Sequence, residues 1–157
     1  MKTGANYVMA LGIALRAKEQ GADQVLFAPA GDIQETGVSN FMLLDDRRLV
    51  TKPLDGSFLA GVTRDSILTL ARDLGYQVEE RAITVDELLA WADNGEAALM
   101  GTAAVLAGVG TFIYEGKVVT VGEGTTGANT ARLRAALVAV QRGEAPDPWG
   151  WTETVSP

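Results

Sequence analysis

The spacing of apolar residues along the chain predicts four helices. Apolar side chains recur every three to four positions over about 5–20, and Gly21 is placed to end that helix. The same spacing predicts helices over about 62–74 and 126–142. A Thr-x-x-Glu capping box at the start of 84–92 predicts the remaining one.

Short apolar or alternating runs between these helices predict strands. The runs are DQVLFA (23–28), SNFMLL (39–44), LVTKP (49–53), YQVEERAIT (76–84), EAALMGTAAVLAGV (96–109, two strands around a glycine turn) and TFIYEGKVVTV (111–121, a hairpin turning at Glu115–Gly116). The fold class predicted is α+β. Periodicity alone leaves open whether the strands form a mixed sheet or a small barrel.

The length of 157 residues predicts a single domain with a sizeable core. We place that domain at residues 1–143. Residues 144–157 hold three of the five prolines and two of the three tryptophans, so we expect an extended arm packed on the same domain.

Composition and charge exclude several classes of function. The net charge of −7 argues against nucleic acids and anionic membrane surfaces, which both favour clustered Lys and Arg. The chain has no cysteine and no histidine, so thiolate and imidazole chemistry are excluded. Acid–base work must therefore fall to Lys, Tyr, Asp or Glu. No run resembles a signal peptide or a membrane span, which predicts a soluble cytoplasmic protein.

Three motifs and one loop carboxylate suggest a cofactor. The motifs are K-x-G-x-N-Y at 2–7, GVTRDS at 61–66 and MGTAA at 100–104, and the carboxylate is Glu35. A glycine turn entering a helix offers backbone N–H groups to an anion, and threonine hydroxyls add donors. Two such clusters and the amine of Lys2 suit a phosphorylated aldehyde, and pyridoxal 5'-phosphate has this chemistry.

Taken singly, each motif has a commoner structural explanation. Glycine and threonine at a helix start usually only cap the helix, and a lysine after the first methionine is usually a surface residue. Glu35 in a loop is more often solvated, and Tyr7 on a helix is more often half-buried core. The residues alone therefore leave the function open.

The motifs also carry a resemblance to a known family. From KTGANY through IQETGVSNFM to MGTAA, the chain resembles the C-terminal domain of branched-chain aminotransferases, which are fold-type IV pyridoxal-phosphate enzymes. PLDGSFLAGVTRDS at 53–66 is the most specific stretch. The resemblance implies a pseudo-barrel of mixed strands surrounded by helices, in a homodimer.

Roles for individual residues follow from the resemblance. It implies that Lys2 forms the Schiff base with the cofactor and then moves a proton during amino transfer. It implies that Tyr7 donates a hydrogen bond to the cofactor's phenolic oxygen. Glu35 would keep the pyridine nitrogen protonated. Asn40 also matches the family motif, and no role is predicted for it.

The phosphate and the substrate carboxylate are assigned by the same resemblance. Val62 and Thr63 match the helix start that holds the phosphate, and Thr102 matches a second hydroxyl on the phosphate side. Gly101 and Ala103 lie in the loop that helps to place the substrate carboxylate.

One departure from the family keeps three interpretations open. Enzymes of this family carry an N-terminal domain before the lysine, whereas this sequence starts at the lysine's own motif. The chain could transfer amino groups from branched-chain amino acids to 2-oxoglutarate as a truncated homologue. It could be an inactive half that needs a separate N-terminal half. It could also act without the cofactor, as a small-molecule cyclase, isomerase or binding protein, because a fold does not fix a function.

Overall fold

The computed structural model describes residues 4–155, and these residues form helices packed on a mixed sheet. The helices are α1 (Gly4–Glu19), α2 (Val62–Asp73), α3 (Val85–Trp91) and α4 (Ala128–Gln141). The strands are β1 (Asn40–Leu44), β2 (Arg48–Thr51), β3 (Gln77–Glu80), β4 (Glu96–Gly101), β5 (Val105–Val109), β6 (Thr111–Tyr114) and β7 (Lys117–Thr120). The predicted α+β class is confirmed.

The main sheet has the strand order β3-β2-β1-β4-β5, so β1 lies at its centre. Only the β2–β3 pair is parallel, and the other neighbours are antiparallel. β6 and β7 form a separate antiparallel ribbon. Its turn is at Glu115 and Gly116, as predicted, and both residues have positive φ (50° and 75°), as a tight type I′ hairpin turn requires.

An apolar core covers each face of the sheet. Side chains of a strand alternate between the faces, so Met42 and Leu44 of β1 belong to one core while Phe41 and Leu43 belong to the other. α2 and α4 contribute to the first core and α3 contributes to the second. All five residues of β1 are buried, which makes this strand a rigid base for whatever its ends carry.

The strand predicted over 23–28 is wrong. Leu26 forms only an isolated bridge with Thr36, and the short 3₁₀ turn Pro29–Gly31 follows almost at once. The apolar residues of this run are only partly buried. Phe27 and Ala28 line a groove, described below, and Leu26 and Ala28 pack against the second core. A short apolar run in the sequence cannot distinguish this arrangement from a strand of the sheet.

The start of α4 is capped by a carboxylate from a distant strand. Glu96 of β4 accepts hydrogen bonds from the backbone N–H groups of Asn129 and Thr130, both at 2.8 Å. It also accepts from Asn129 Nδ2 at 2.9 Å and from Thr130 Oγ1 at 2.7 Å. A β-carbon on Gly127 would overlap the Glu96 carboxylate, so a side chain at this N-cap would displace the carboxylate from its hydrogen bonds. The contact fastens α4 to the sheet.

The C-terminal segment begins on the first core. Trp149 packs against that core and stacks on Trp151, with 4.4 Å between ring centroids. Residues 151–155 are exposed. The boundaries 1–143 and 144–157 stay a prediction.

Residues 4–155 contain neither a candidate membrane-spanning helix nor a candidate metal site. No helix there has the length and apolar character that crossing a membrane requires. Within the same range, no cluster of three or more acidic side chains is arranged to hold a metal ion.

Candidate functional site

A groove of about 940 Å³ lies between α1, the segment 27–37 and the loop 55–59. Tyr7 and Glu35, both predicted site residues, line it together. The rest of its lining is mainly apolar or small and includes Met9, Ile13, Phe27, Phe58 and Leu59. A volume of this order suits a cofactor or a small molecule.

The backbone holds Glu35 at the wall of the groove. Its carbonyl oxygen accepts from Phe27 N at 3.0 Å. The next residue, Thr36, is 3% exposed, and its hydroxyl oxygen accepts from Val38 N at 3.3 Å and Ser39 N at 3.0 Å. This hydroxyl closes a tight turn between Glu35 and β1. The turn brings the side chains of Glu35 and Asn40 together, although they are five positions apart in the sequence.

Asn40 links Glu35 to the loop before α2. Its Nδ2 donates to Glu35 Oε2 at 2.8 Å and to the carbonyl oxygen of Leu59 at 3.0 Å. The residue is 5% exposed. No role is predicted for Asn40 from the sequence. Its distance of five residues from Glu35 was visible, but the contact with Leu59 depends on the fold.

The helix start predicted to hold phosphate has an open N-terminus. Gly61 is the N-cap of α2, and no side chain caps it. Val62 is 83% exposed and Thr63 is half-buried. Among the described residues, neither lines the groove. The chain leads back from this helix start to Leu59, which lines the groove and whose carbonyl oxygen accepts a hydrogen bond from Asn40.

Arg64 fastens this helix start to the neighbouring strands. It is 4% exposed, and its Nη2 donates to the carbonyl oxygen of Lys52 at 2.9 Å and to Glu80 Oε2 at 2.8 Å. Arg72 contacts the other oxygen of Glu80 at 3.0 Å. The hydrogen bond from Arg64, its charge and the pairing with Arg72 lower the pKa of Glu80 below its ordinary value of 4.5.

Acid is therefore expected to loosen the start of α2. A carboxylate with a lowered pKa stabilises the fold fully above its ordinary value, and this contribution is lost as pH falls through the lowered value. The free energy of unfolding from urea titrations should fall below about pH 4.5. The fall should be shallower in Glu80→Gln than in the parent chain. Equal slopes in the two proteins would contradict a role for Glu80, and Glu123→Gln, in an exposed loop, is the matched control.

The GTAA loop, residues 101–104, lies beside the turn that precedes Asn40. β1 and β4 pair Asn40 with Met100, and a β-carbon on Gly101 would lie 3.0 Å from Ser39 Oγ. Thr102 and Ala103 are exposed in the turn that follows, outside the groove lining. The structure thus places the predicted substrate-carboxylate loop next to the Glu35–Asn40 turn.

The β4–β5 turn ends in an unfavourable backbone conformation. Leu106 N donates to the carbonyl oxygen of Ala104 at 2.7 Å, and Val105 between them has φ of 61°. This combination is the classic γ-turn, which is strained for a β-branched residue.

Lys2, the predicted catalytic lysine, lies outside the described residues. Another lysine, Lys52, is close to the groove and 7% exposed. It pairs with Asp32 and, at 3.5 Å, with Asp55. The hydrogen bond that the Lys52 ammonium donates to the Asp32 carboxylate is the main cause that raises the pKa of Lys52, and Asp55 adds to it. Lys52 is thus held as an ammonium ion, which is a poor nucleophile.

The sequence and fold match known proteins over nearly the whole chain. The family model described as amino-transferase class IV matches residues 1–111. A probable branched-chain-amino-acid aminotransferase of Streptomyces coelicolor is 42% identical over 161 aligned positions, which cover 99% of this chain and 44% of that protein.

Solved structures agree with the sequence comparison. The branched-chain amino acid aminotransferase from Escherichia coli superposes with a TM-score of 0.81 at 35% identity, covering 94% of this chain and 48% of that one. The holo form from Thermobaculum terrenum, which contains PLP, gives 0.81 at 30% identity, covering 92% and 45%. The chain thus spans less than half the length of these relatives. Because the family model covers well over half of its residues, the chain belongs to the class IV aminotransferases.

Proposed function

We propose that this chain forms the cofactor-binding part of a pyridoxal-phosphate-dependent branched-chain aminotransferase that uses 2-oxoglutarate as amino acceptor. The observation that carries the proposal is the carboxylate of Glu35, held at the wall of a groove by the buried amide of Asn40. The names of the relatives support the reaction and the donor class.

The described residues fit this cofactor. The groove has a volume suited to it, and the Glu35 carboxylate can accept a hydrogen bond from a protonated ring nitrogen. The uncapped start of α2 offers backbone N–H groups to a phosphate, and the hydroxyls of Thr63 and Thr102 can add donors. Residues 4–155 thus supply groups suited to both ends of the cofactor.

Each residue then has a defined task. Pyridoxal phosphate, when bound, supplies an electron sink for the amino acid's Cα and carries its amino group. Lys2 would hold the cofactor covalently and move a proton at Cα. Tyr7 would donate to the phenolic oxygen, and Glu35 would hold the proton on the ring nitrogen. Gly101 and Ala103 would orient the substrate carboxylate.

The lining of the groove favours an aliphatic substrate. Met9, Ile13 and Phe27 are apolar, and they face the same space as Tyr7 and Glu35. An apolar wall favours a branched aliphatic side chain because burying it removes apolar surface from water.

A partner is part of this proposal. α1 leaves Val8, Met9, Leu11 and Leu15 between 54% and 84% exposed. Apolar surface of this kind is typical of an interface. The relatives are about twice as long as the aligned region, so an N-terminal half or a second copy in a homodimer would cover this surface.

Reductive trapping tests the proposed function. The purified chain is mixed with pyridoxal phosphate and treated with borohydride, and the labelled peptide is identified by mass spectrometry. We expect the label on Lys2, its loss in Lys2→Ala and its retention in Lys117→Ala, which removes an exposed lysine of β7. Lys52 should stay unlabelled because its ammonium is paired.

The other outcomes separate the alternatives. A label on Lys2 that appears only after adding the N-terminal half of the Streptomyces coelicolor relative would identify a half that needs a partner. Random labelling of surface lysines with or without that half would contradict the proposal. It would favour a cofactor-free cyclase, isomerase or binding protein.

A further inference from the structure

The side chain of Asn40 connects the two parts of the site that are expected to hold opposite ends of the cofactor. One N–H of its amide reaches the carboxylate of Glu35, and the other reaches the carbonyl oxygen of Leu59, two residues before the N-cap of α2. Both donors of the amide are therefore used. No other standard side chain of this size offers two donors from one nitrogen.

The contact with the loop before α2 is close and depends on glycine. A β-carbon built on Gly61 would overlap Oδ1 of Asn40. The amide thus lies in close contact with both the Glu35 carboxylate and the backbone of the N-cap residue. Any side chain at position 61 would force the amide to move, and both of its hydrogen bonds would be disturbed.

Asn40 itself has little freedom to move. It is the first residue of β1, the central strand, and it is paired with Met100 of β4. The turn closed by Thr36 fixes the backbone on its other side. A buried side chain on a rigid element can set the positions of its partners instead of following them.

We propose that Asn40 is a positioning residue that fixes the Glu35 carboxylate and the start of α2 relative to each other. The inference rests on the proposed function for its meaning, because the spacing it sets is that between the protein groups proposed to bind the cofactor's ring nitrogen and its phosphate. The clamp itself is a property of the protein without cofactor.

A double-mutant cycle on the full 157-residue chain tests the clamp. Asn40→Ala removes the amide, and Gly61→Ala pushes it aside. Each change should raise the dissociation constant of pyridoxal phosphate about tenfold, because a hydrogen bond to a charged group is lost or disturbed. In the double variant the new methyl group has no amide to displace, so the loss of affinity for pyridoxal phosphate should equal that of Asn40→Ala alone. A loss of about a hundredfold, the product of the two, would overturn the proposal.

Two further variants separate positioning from packing. Asn40→Asp keeps the shape of the side chain but offers oxygen atoms to both acceptors, so it should not restore affinity. Full affinity in Asn40→Asp would show that the side chain only fills space. Gly12→Ala, at a site in α1 with no heavy atom near the added methyl, should leave the affinity unchanged.

Two readouts need no cofactor and separate failure of this inference from failure of the proposed function. The changes in urea midpoint across the four proteins of the cycle should also be non-additive. The double variant should be lowered no further than Asn40→Ala alone. The side-chain NH₂ signals of Asn40 in ¹⁵N spectra should shift in Glu35→Gln and stay in place in Glu115→Gln. If wild-type chain fails to bind pyridoxal phosphate while both results hold, the proposed function fails and the clamp stands. Additive midpoints and an unmoved signal would refute the clamp.

Discussion

Replacing Glu35 with glutamine is expected to slow amino-group transfer by about 10²–10³-fold. The carboxylate is proposed to hold a proton on the ring nitrogen, and an amide cannot balance that charge. Truncating one partner of a buried, hydrogen-bonded charge pair costs about 2–5 kcal/mol, which corresponds to a rate loss of this order. A single-turnover measurement follows ¹⁵N from labelled L-leucine into the cofactor by mass spectrometry, with the N-terminal half added where the trapping experiment requires it.

The fold should survive this change. Glutamine has a similar shape, and its carbonyl oxygen can still accept the hydrogen bond that Asn40 Nδ2 gives to Glu35. The urea midpoint of Glu35→Gln should therefore stay close to that of the parent chain. The control is Glu115→Gln in the β6–β7 turn, which should change neither rate nor midpoint. A rate within threefold of wild type would remove Glu35 from the proposed site.

Replacing Glu96 with alanine is expected to lower the free energy of unfolding by about 3 kcal/mol. The change leaves two backbone N–H groups and two side-chain donors at the start of α4 without their acceptor. Leaving one buried donor unsatisfied costs about 1–3 kcal/mol, and water can replace part of the lost bonding. The favourable charge at a helix N-terminus is lost as well.

Urea unfolding of Glu96→Ala, Glu96→Gln and Glu123→Ala measures this contribution. Glutamine keeps one acceptor oxygen, so its loss should lie between those of the other two variants. Glu123 lies in an exposed loop, and its removal should cost less than about 0.5 kcal/mol. A change below 1 kcal/mol in Glu96→Ala would show that α4 does not depend on this cap.

Local signals in the sequence predicted local structure well. The turn at Glu115–Gly116 needs two residues with positive φ, and glycine marks such a turn clearly. Thr84 caps α3 as predicted, because its hydroxyl accepts from Glu87 N at 3.1 Å. The other half of the predicted capping box does not form. The side chain of Glu87 pairs instead with Arg81, at 2.6 Å.

Contacts between distant segments could not be predicted in the same way. Glu96 reaches a helix 33 residues further along the chain, and nothing near Glu96 marks its partner. The parallel pairing of β2 with β3 likewise depends on how α2 crosses between them. The same limit applies at 23–28, where Phe27 and Ala28 line the groove although the apolar run resembles a strand in sequence.

For the candidate site, the motifs indicated the residues but not their connections. Tyr7 and Glu35 do line one groove, which agrees with the predicted grouping. Val62, Thr63 and the GTAA loop lie beside it, joined through Leu59, Ser39 and Asn40. The motifs identified Glu35 and the start of α2, which lie at the two ends of this network. A role for the Asn40 amide between them could be inferred only from its contacts in the structure.

The strained turn at Val105 ties the shape of the GTAA loop to cooperative folding. A φ of 61° is disfavoured for a β-branched residue, so the pairing of β4 with β5 must hold Val105 in this conformation. β5 is an edge strand that pairs with β4 on one side only, so we expect it to open more readily than the strands at the centre of the sheet. When β5 detaches, the turn is released to relax while the centre of the sheet stays folded. We therefore expect the GTAA loop to keep this shape only while β5 stays paired with β4.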